Sequence, residues 1–395
     1  AYNRVLLDRS RQRVRALGFF KEVEIEEQPG SAPDRTVVQV KVEEQPTGEL
    51  SFGAGFSSVD QFIFDLGITE RNFRGRGQNL RARVSLGSLR QTVDFSFTEP
   101  RFMGRDLAAG VDLYSYRYDF SEESSFDTQS TGAGVRLGFD LNGYTNLRLR
   151  YNLRQDSIVV DDFYCQGGGN RSICEQRGES LTSVFGYTLG LDLRNDPIAP
   201  TRGWYSLLRQ DLAGLGGDVS YLKTELEGRW YYGFRPDIVL SAGGSAGYIA
   251  GWRGDEVRIN ERFFKGGNTF RGFETAGIGP RDTTTGFDDA LGGELYAIGN
   301  VELTFPNFLP EQYGIKTSAF LEFGTLGILD ERYRRDANFV IDPNIQDDLS
   351  LRASAGLSVR WRSPMGPIQF DFSQILAKED YDKTETFRFS TATQF

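Results

Sequence analysis

Apolar and polar positions alternate with a period of two along most of this chain, in short runs separated by turn residues. From Gly48 onward we count about sixteen such segments: 48–57, 61–72, 78–88, 91–98, 106–118, 128–140, 144–155, 181–194, 204–213, 219–233, 237–250, 294–305, 314–324, 350–362, 366–373 and 385–395. Each has roughly the length a tilted strand needs to cross a bilayer. In 91–98, Val93, Phe95 and Phe97 oppose Asp94 and Ser96; in 219–233, Leu222, Leu226, Trp230 and Tyr232 oppose Lys223, Glu225, Glu227 and Arg229. Such alternation suits a barrel with its apolar face outward and equally a soluble sandwich with that face inward.

The links between segments separate the two. Every second link is short: 74–77, 100–104, 142–143, 197–203, 235–236, 306–313 and 363–366. The other series begins with two short links and then runs to long loops at 119–127, 157–180, 251–293, 325–349 and 374–384. Short turns on one side and long loops on the other are how outer-membrane barrels are built. The expected fold is therefore all-β, a 16-stranded antiparallel transmembrane β-barrel over 47–395, and a barrel that wide leaves an interior that strand side chains alone do not fill.

Residues 1–46 follow another pattern. Leu6, Leu7, Val14 and Leu17 are spaced for one face of a helix that stops at Gly18. Val23 and Ile25 then alternate with glutamates, and Val38, Val40 and Val42 alternate with polar residues across the turn-rich GSAPD. Helix, strand, strand makes a small α+β unit short of a full core, so part of it is expected upstream, and the start at Ala1 without a signal-peptide pattern fits a mature or trimmed chain.

Composition narrows the function classes. Mean hydropathy is −0.41 and no run of 18 apolar residues occurs, which argues against a transmembrane helix. A net charge of −10 without a basic stripe argues against nucleic acid as a partner. There is no histidine, which removes histidine-based triads and the usual zinc sites, so an enzyme is disfavoured and neither cofactor nor metal is expected. The acidic run at 330–348 could offer calcium ligands, but its irregular spacing and interspersed arginines favour a solvated loop, and CQGGGN lacks the lysine and helix of a phosphate cradle. Cys165 and Cys174, nine apart around three glycines, are either a disulfide in an oxidising compartment or two free thiols.

One stretch stands apart. ERFFKGGNTFRGFETAGIGPR (261–281) is too glycine-rich for a continuous helix or strand, yet it carries four phenylalanines and sets Arg271 between Phe270 and Gly272-Phe273. A loop of that composition is expected to be packed rather than solvated. In segment 294–305, Val301 and Leu303 put Glu302 on the opposite face; in 314–324, Leu321 and Phe323 do the same for Glu322, so both carboxylates should point inward.

FSFTEPRFMGRDL, NDPIAPTRGW, FFKGGNTFRGFETAGIGPRD, GGELYAIGNVELTFP, AFLEFGTLG and WRSPMGPIQFDFSQIL follow one another in the order found in the BamA family of outer-membrane assembly factors, which this chain resembles over its barrel and the preceding unit. The resemblance implies that residues 1–46 are the end of the last POTRA module, in the periplasm, and that the function is folding and inserting β-barrel precursors into the bacterial outer membrane, the long loops being extracellular. The implied partners are unfolded barrel precursors, outer-membrane lipids and accessory lipoproteins reached through POTRA modules. The resemblance also implies that loop 251–293 folds into the lumen, where Phe270, Arg271, Gly272 and Phe273 meet Glu302 and Glu322; family members often have aspartate at the position of Glu322. It further implies a weak lateral seam between the first strand, with Leu50, Phe52, Ala54 and Phe56 toward lipid and Gly53 and Gly55 interleaved with them, and the last strand, with Phe387, Phe389 and Phe395. The family's kink there is at a glycine, for which this chain has Ala392. Phe395 resembles the terminal aromatic of barrel substrates, and an interfacial anchor is the alternative. TamA-like factors and two-partner-secretion transporters share the POTRA-plus-barrel pattern, and a passive channel or receptor is a further alternative.

Overall fold

The computed structural model describes residues 7, 10, 11, 14, 15, 17–32, 35–57, 61–165, 171–235, 237–283, 288–307, 309–335, 340–363 and 366–391. The expected N-terminal helix lies partly outside this set. Its described residues Leu7, Ser10, Arg11, Val14 and Arg15 are helical, and Gly18, with φ +70°, ends it. Phe20–Pro29 and Thr36–Glu44 then pair antiparallel, with Val23 opposite Val42 and Ile25 opposite Val40. Arg11 and Arg15 donate to the carbonyls of Ile25 and Val23, each at 3.2 Å, which ties the helix to this sheet. Val23 is buried, whereas Val38, Val40 and Val42 are exposed.

Sixteen strands form the barrel, each paired antiparallel with its sequence neighbour. In order they are Gly48–Ser57, Gln61–Phe73, Gln78–Gly87, Arg90–Glu99, Leu107–Asp119, Asp127–Asp140, Thr145–Val159, Gly178–Asp192, Arg202–Gly217, Tyr221–Arg235, Ile238–Gly251, Leu295–Phe305, Ile315–Gly327, Arg352–Ser363, Gly366–Ala377 and Phe387–Thr391. Sequential pairing satisfies the backbone N–H and C=O groups within the sheet, which hydrocarbon requires. The outer face is apolar: Leu50, Phe52, Phe62, Phe64, Val93, Phe95, Leu226, Trp230, Leu303 and Leu321 are exposed, while Glu302 and Glu322 are buried.

The strands run further on the long-loop side than the alternation indicates. The seventh and eighth extend to Val159 and back to Gly178 and stay paired there, Ile158 opposite Gly178. The ninth reaches Gly217, leaving a short link to the tenth, the thirteenth reaches Gly327 and the fifteenth Ala377. Beyond the bilayer no lipid face is needed, so the period-two signal fades while the hydrogen-bonded ladder continues.

The core lies inside the barrel. Phe263, Phe270, Phe273 and Ile278 of the loop after the eleventh strand pack with Val184, Ala213, Tyr221, Ile249, Tyr296, Ile298 and Leu326. A second cluster, Phe126, Ile158, Val160, Ile173, Ile259, Leu291 and Leu329, closes the long-loop end. Against it packs the disulfide Cys165–Cys174, with Cα atoms 5.8 Å apart. Arg281–Asp282 pairs with both Asp289–Ala290 and Ile345–Gln346, so two long loops share one small sheet.

Candidate latch site in the barrel lumen

The loop between the eleventh and twelfth strands takes its shape from glycines that cannot be replaced without a collision. Gly266 has φ +126°, and a Cβ there would lie 1.9 Å from the Glu274 carbonyl oxygen. Gly272 has φ +92°, and its Cβ would meet Ile375 Cδ1 and Ser354 Cβ at 2.9 Å. Between these bends Phe270 and Phe273 turn edge to face, centroids 5.0 Å apart, both fully buried. The aromatic pair fixes the backbone on either side of Arg271.

Arg271 is therefore aimed at the inner wall. Its Nε donates to Glu322 Oε1 at 2.7 Å and its backbone N–H to Glu322 Oε2 at 2.7 Å, so one carboxylate is held by side chain and main chain together. Its Nη2 donates to Glu302 Oε2 at 3.1 Å. The guanidinium carbon stands 3.6 Å from the Phe320 ring centroid, and Ser354 Oγ donates to the Arg271 carbonyl at 2.6 Å. The planar fork of arginine suits two carboxylates on neighbouring strands better than the point charge of lysine. Arg271, Glu302 and Glu322 are each at most 9% exposed at the side chain, where charge-assisted bonds are little screened.

Two further charged residues belong to this cluster and were not singled out from sequence. Arg360 Nη2 donates to Glu302 Oε1 at 2.6 Å, giving that carboxylate a second cation. Asp371 stands 3.9 Å from Arg271 Nη1, a distance that makes it a charge neighbour, and it accepts from Ser358 Oγ at 2.5 Å. The parity that points Glu302 inward also applies to Asp371, which lies between Phe370 and Phe372, and to Arg360, between Val359 and Trp361.

The loop is gripped elsewhere too. Glu261 pairs with Arg154 of the seventh strand, whose Nε donates to Asp156 at 2.9 Å, and the Glu261 carbonyl accepts from Lys223 Nζ at 2.9 Å. At its tip the loop binds the approach to the last strand. Glu385 N–H donates to the Gly272 carbonyl at 2.9 Å, Glu274 N–H to Lys383 O at 3.1 Å, and Lys383 N–H to Gly277 O at 2.9 Å. Arg388, buried on the sixteenth strand, donates to the Phe273 carbonyl at 3.4 Å and pairs with Glu385.

At the sheet's two ends, Leu50 and Phe52 of the first strand are about 70% exposed on the outer face, and Gly53 and Gly55 pair with Asp65 and Ile63 of the second strand. Phe387 and Phe389 pack, tilted, against Phe372 and Phe370 of the fifteenth strand, with centroids 5.2 and 5.3 Å apart. The sixteenth strand pairs with the fifteenth over Phe387–Thr391. First and sixteenth strands come near each other, yet among the described residues no ladder joins them. Ala392 and Phe395 lie outside the described residues.

Residues 72–395 match the Omp85 superfamily domain. The chain belongs to the Omp85 superfamily. It is 30% identical over 387 residues to the outer membrane protein assembly factor BamA of Neorickettsia risticii, covering 98% of this chain and 50% of that protein. It is 30% identical over 370 residues to the protein of the same name from Nitratidesulfovibrio vulgaris, covering 93% of this chain and 44% of that one. The chain thus spans about half the length of the curated relatives it matches. Its fold is similar to the crystal structure of BamA from Haemophilus ducreyi lacking POTRA domains 1–3, with a TM-score of 0.85 at 24% identity over 97% of this chain and 77% of that one. Omp85 membership and the barrel together place the chain in the outer membrane.

Proposed function

We propose that this Omp85-superfamily chain is the membrane part of an assembly factor that folds and inserts β-barrel precursors into the outer membrane. The mechanism is non-enzymatic. An unpaired strand edge is a template for another strand, and a barrel whose first and sixteenth strands share no ladder among the described residues has two such edges facing one another. That observation carries the reading. Lipid-facing Leu50 and Phe52 would border the opening, and Gly53 and Gly55 would lower the cost of bending the first strand.

In this reading Arg271, held by Glu302 and Glu322, is a latch that fixes the loop against the twelfth and thirteenth strands while its tip steadies the start of the sixteenth. Residues 1–46 would be the end of a periplasmic POTRA module, through which accessory lipoproteins would act, and the long loops would be extracellular. Reconstituted proteoliposomes test the proposal. They should accelerate insertion of a denatured outer-membrane barrel over protein-free liposomes, and show little steady ion conductance because the loop fills the lumen. High conductance without any effect on insertion would instead identify a passive channel.

A further inference from the structure

The first two turns on the short-turn side of the barrel carry exposed positive charge that the latch and the seam leave without a role. Arg74 and Arg76 are exposed in the turn between the second and third strands, and Arg101 and Arg105 in that between the fourth and fifth. The turns lie side by side: Gln78, first residue of the third strand, donates to Glu99, last residue of the fourth, at 2.7 Å. Around them, Glu49 pairs with Arg71, whereas Glu70, held by Thr47 and the Asn72 N–H, and Glu99, held by Gln78 and the Arg101 N–H, have neutral donors and keep their charge, so with Asp106 three acids stand against four arginines. In a chain of net charge −10 the two turns thus carry a small local excess of positive charge.

Apolar side chains stand among these arginines. Met103 is 82% exposed and Phe102 37%. Met103 is held out by a left-handed backbone, φ +55°, inside a turn closed by Gly104 N–H to Arg101 O at 3.0 Å and Arg105 N–H to Phe102 O at 3.2 Å. Met103 thus stands clear of its own turn, next to Phe102 and between Arg101 and Arg105. The depth is right for a membrane interface. Leu80 and Phe97, paired opposite each other on the outer faces of their strands, lie four residues from Arg76 and Arg101 respectively, which at ~3.3 Å per residue along a tilted strand is where headgroups begin.

We infer that these adjoining turns form a binding surface for anionic phospholipid headgroups, with the four guanidinium groups on the phosphates and Met103 and Phe102 in the upper acyl region. Arginine suits this task because its fork donates to phosphate oxygens in pairs, and an anionic lipid surface attracts basic residues. The inference rests on the membrane-spanning barrel alone and not on the assembly reading.

The test uses the whole chain refolded into nanodiscs of mixed phosphatidylcholine and phosphatidylglycerol, with Met103→Trp as a reporter at a position that is already exposed, its quenching read as the difference from the unaltered chain because Trp204 and Trp230 also face lipid. Bromine is placed near the headgroup end of the acyl chains, either on the phosphatidylglycerol or on the same mole fraction of the phosphatidylcholine. Enrichment at the turns predicts quenching about two-fold or more stronger from brominated phosphatidylglycerol. The excess should vanish at high salt, and also when Arg74→Gln, Arg76→Gln, Arg101→Gln and Arg105→Gln are combined. Equal quenching from the two lipids at low salt would overturn the inference and leave an acidic protein as the partner of this surface. An unquenched reporter would overturn it by placing the turn outside the bilayer. The lipid comparison without the arginine changes decides the matter even if the fourfold variant does not fold.

Discussion

Arg271 is expected to act through two unequal carboxylates. Glu322 receives both its side chain and its backbone N–H, whereas Glu302 is shared with Arg360, which is 45% exposed at the side chain. Removing one partner of a buried pair leaves an uncompensated charge, at a cost of about 3–5 kcal/mol. Arg271→Ala should therefore destabilise the folded barrel by about that much, read from its heat- or urea-induced unfolding in detergent. Adding Glu302→Ala should cost little more, because the remaining Arg360 pair is screened by solvent, and adding Glu322→Ala should recover part of the loss by removing the stranded charge. Additive losses in both cycles would show that the three side chains do not act as one unit. The acids were legible from sequence because Val301, Leu303, Leu321 and Phe323 fix their parity. Asp371 and Arg360 obey the same parity, and Asp371 lies within WRSPMGPIQFDFSQIL, but nothing in that segment ties either residue to Arg271.

At the scale of elements, the loop and the last strand are one mechanical unit. The tip of the loop bonds to residues 383–385 and Arg388, and among the described residues the sixteenth strand is otherwise held to the fifteenth by the five-residue ladder Phe387–Thr391 and by Ser373 N–H to the Thr386 carbonyl at 2.8 Å. Loosening the latch should loosen the strand. Amide hydrogen exchange at 383–391 should quicken in Arg271→Ala while exchange in the sixth to eighth strands stays unchanged; unaltered exchange at 383–391 would separate the loop from the strand. This coupling could not be read in the sequence, because it runs largely through backbone N–H and C=O groups that every residue carries. The long-loop cap is a second element with its own response. Burial raises Glu123 to about 7, raises Asp289 to about 6 against its bond from Ser125, and raises Glu294 to about 7 against the nearby Arg262. Each acid favours the packed cap when protonated, so this contribution is complete below the ordinary carboxylate range and is lost as pH rises through about 6 to about 7. Exchange at 121–126 and 289–294, corrected for intrinsic rate, should be faster at pH 8 than at pH 5, and the reverse order would contradict the burial of these groups.

For the molecule as a whole, the alternation was readable where lipid demands it. Strand order, turn side and outward residues such as Leu50, Phe95 and Leu321 follow from a bilayer that accepts apolar side chains on one face only. Where the bilayer ends the signal ended too, which is why the pairing of Ile158 with Gly178 and the extension of the thirteenth strand to Gly327 were not visible in it. The disulfide Cys165–Cys174 and the cluster around Phe126 lie in that same region, where tertiary packing rather than a repeating pattern sets the structure. The central claim is that the edges of the first and sixteenth strands part to receive a substrate strand. It is tested most directly by placing one cysteine in Gly48–Ser57 and another in Phe387–Thr391 at facing positions, oxidising them, and measuring insertion of a barrel precursor before and after reduction. The account predicts a folded, heat-modifiable barrel that is inactive while locked and regains activity on reduction; full insertion activity with the seam covalently closed would contradict it.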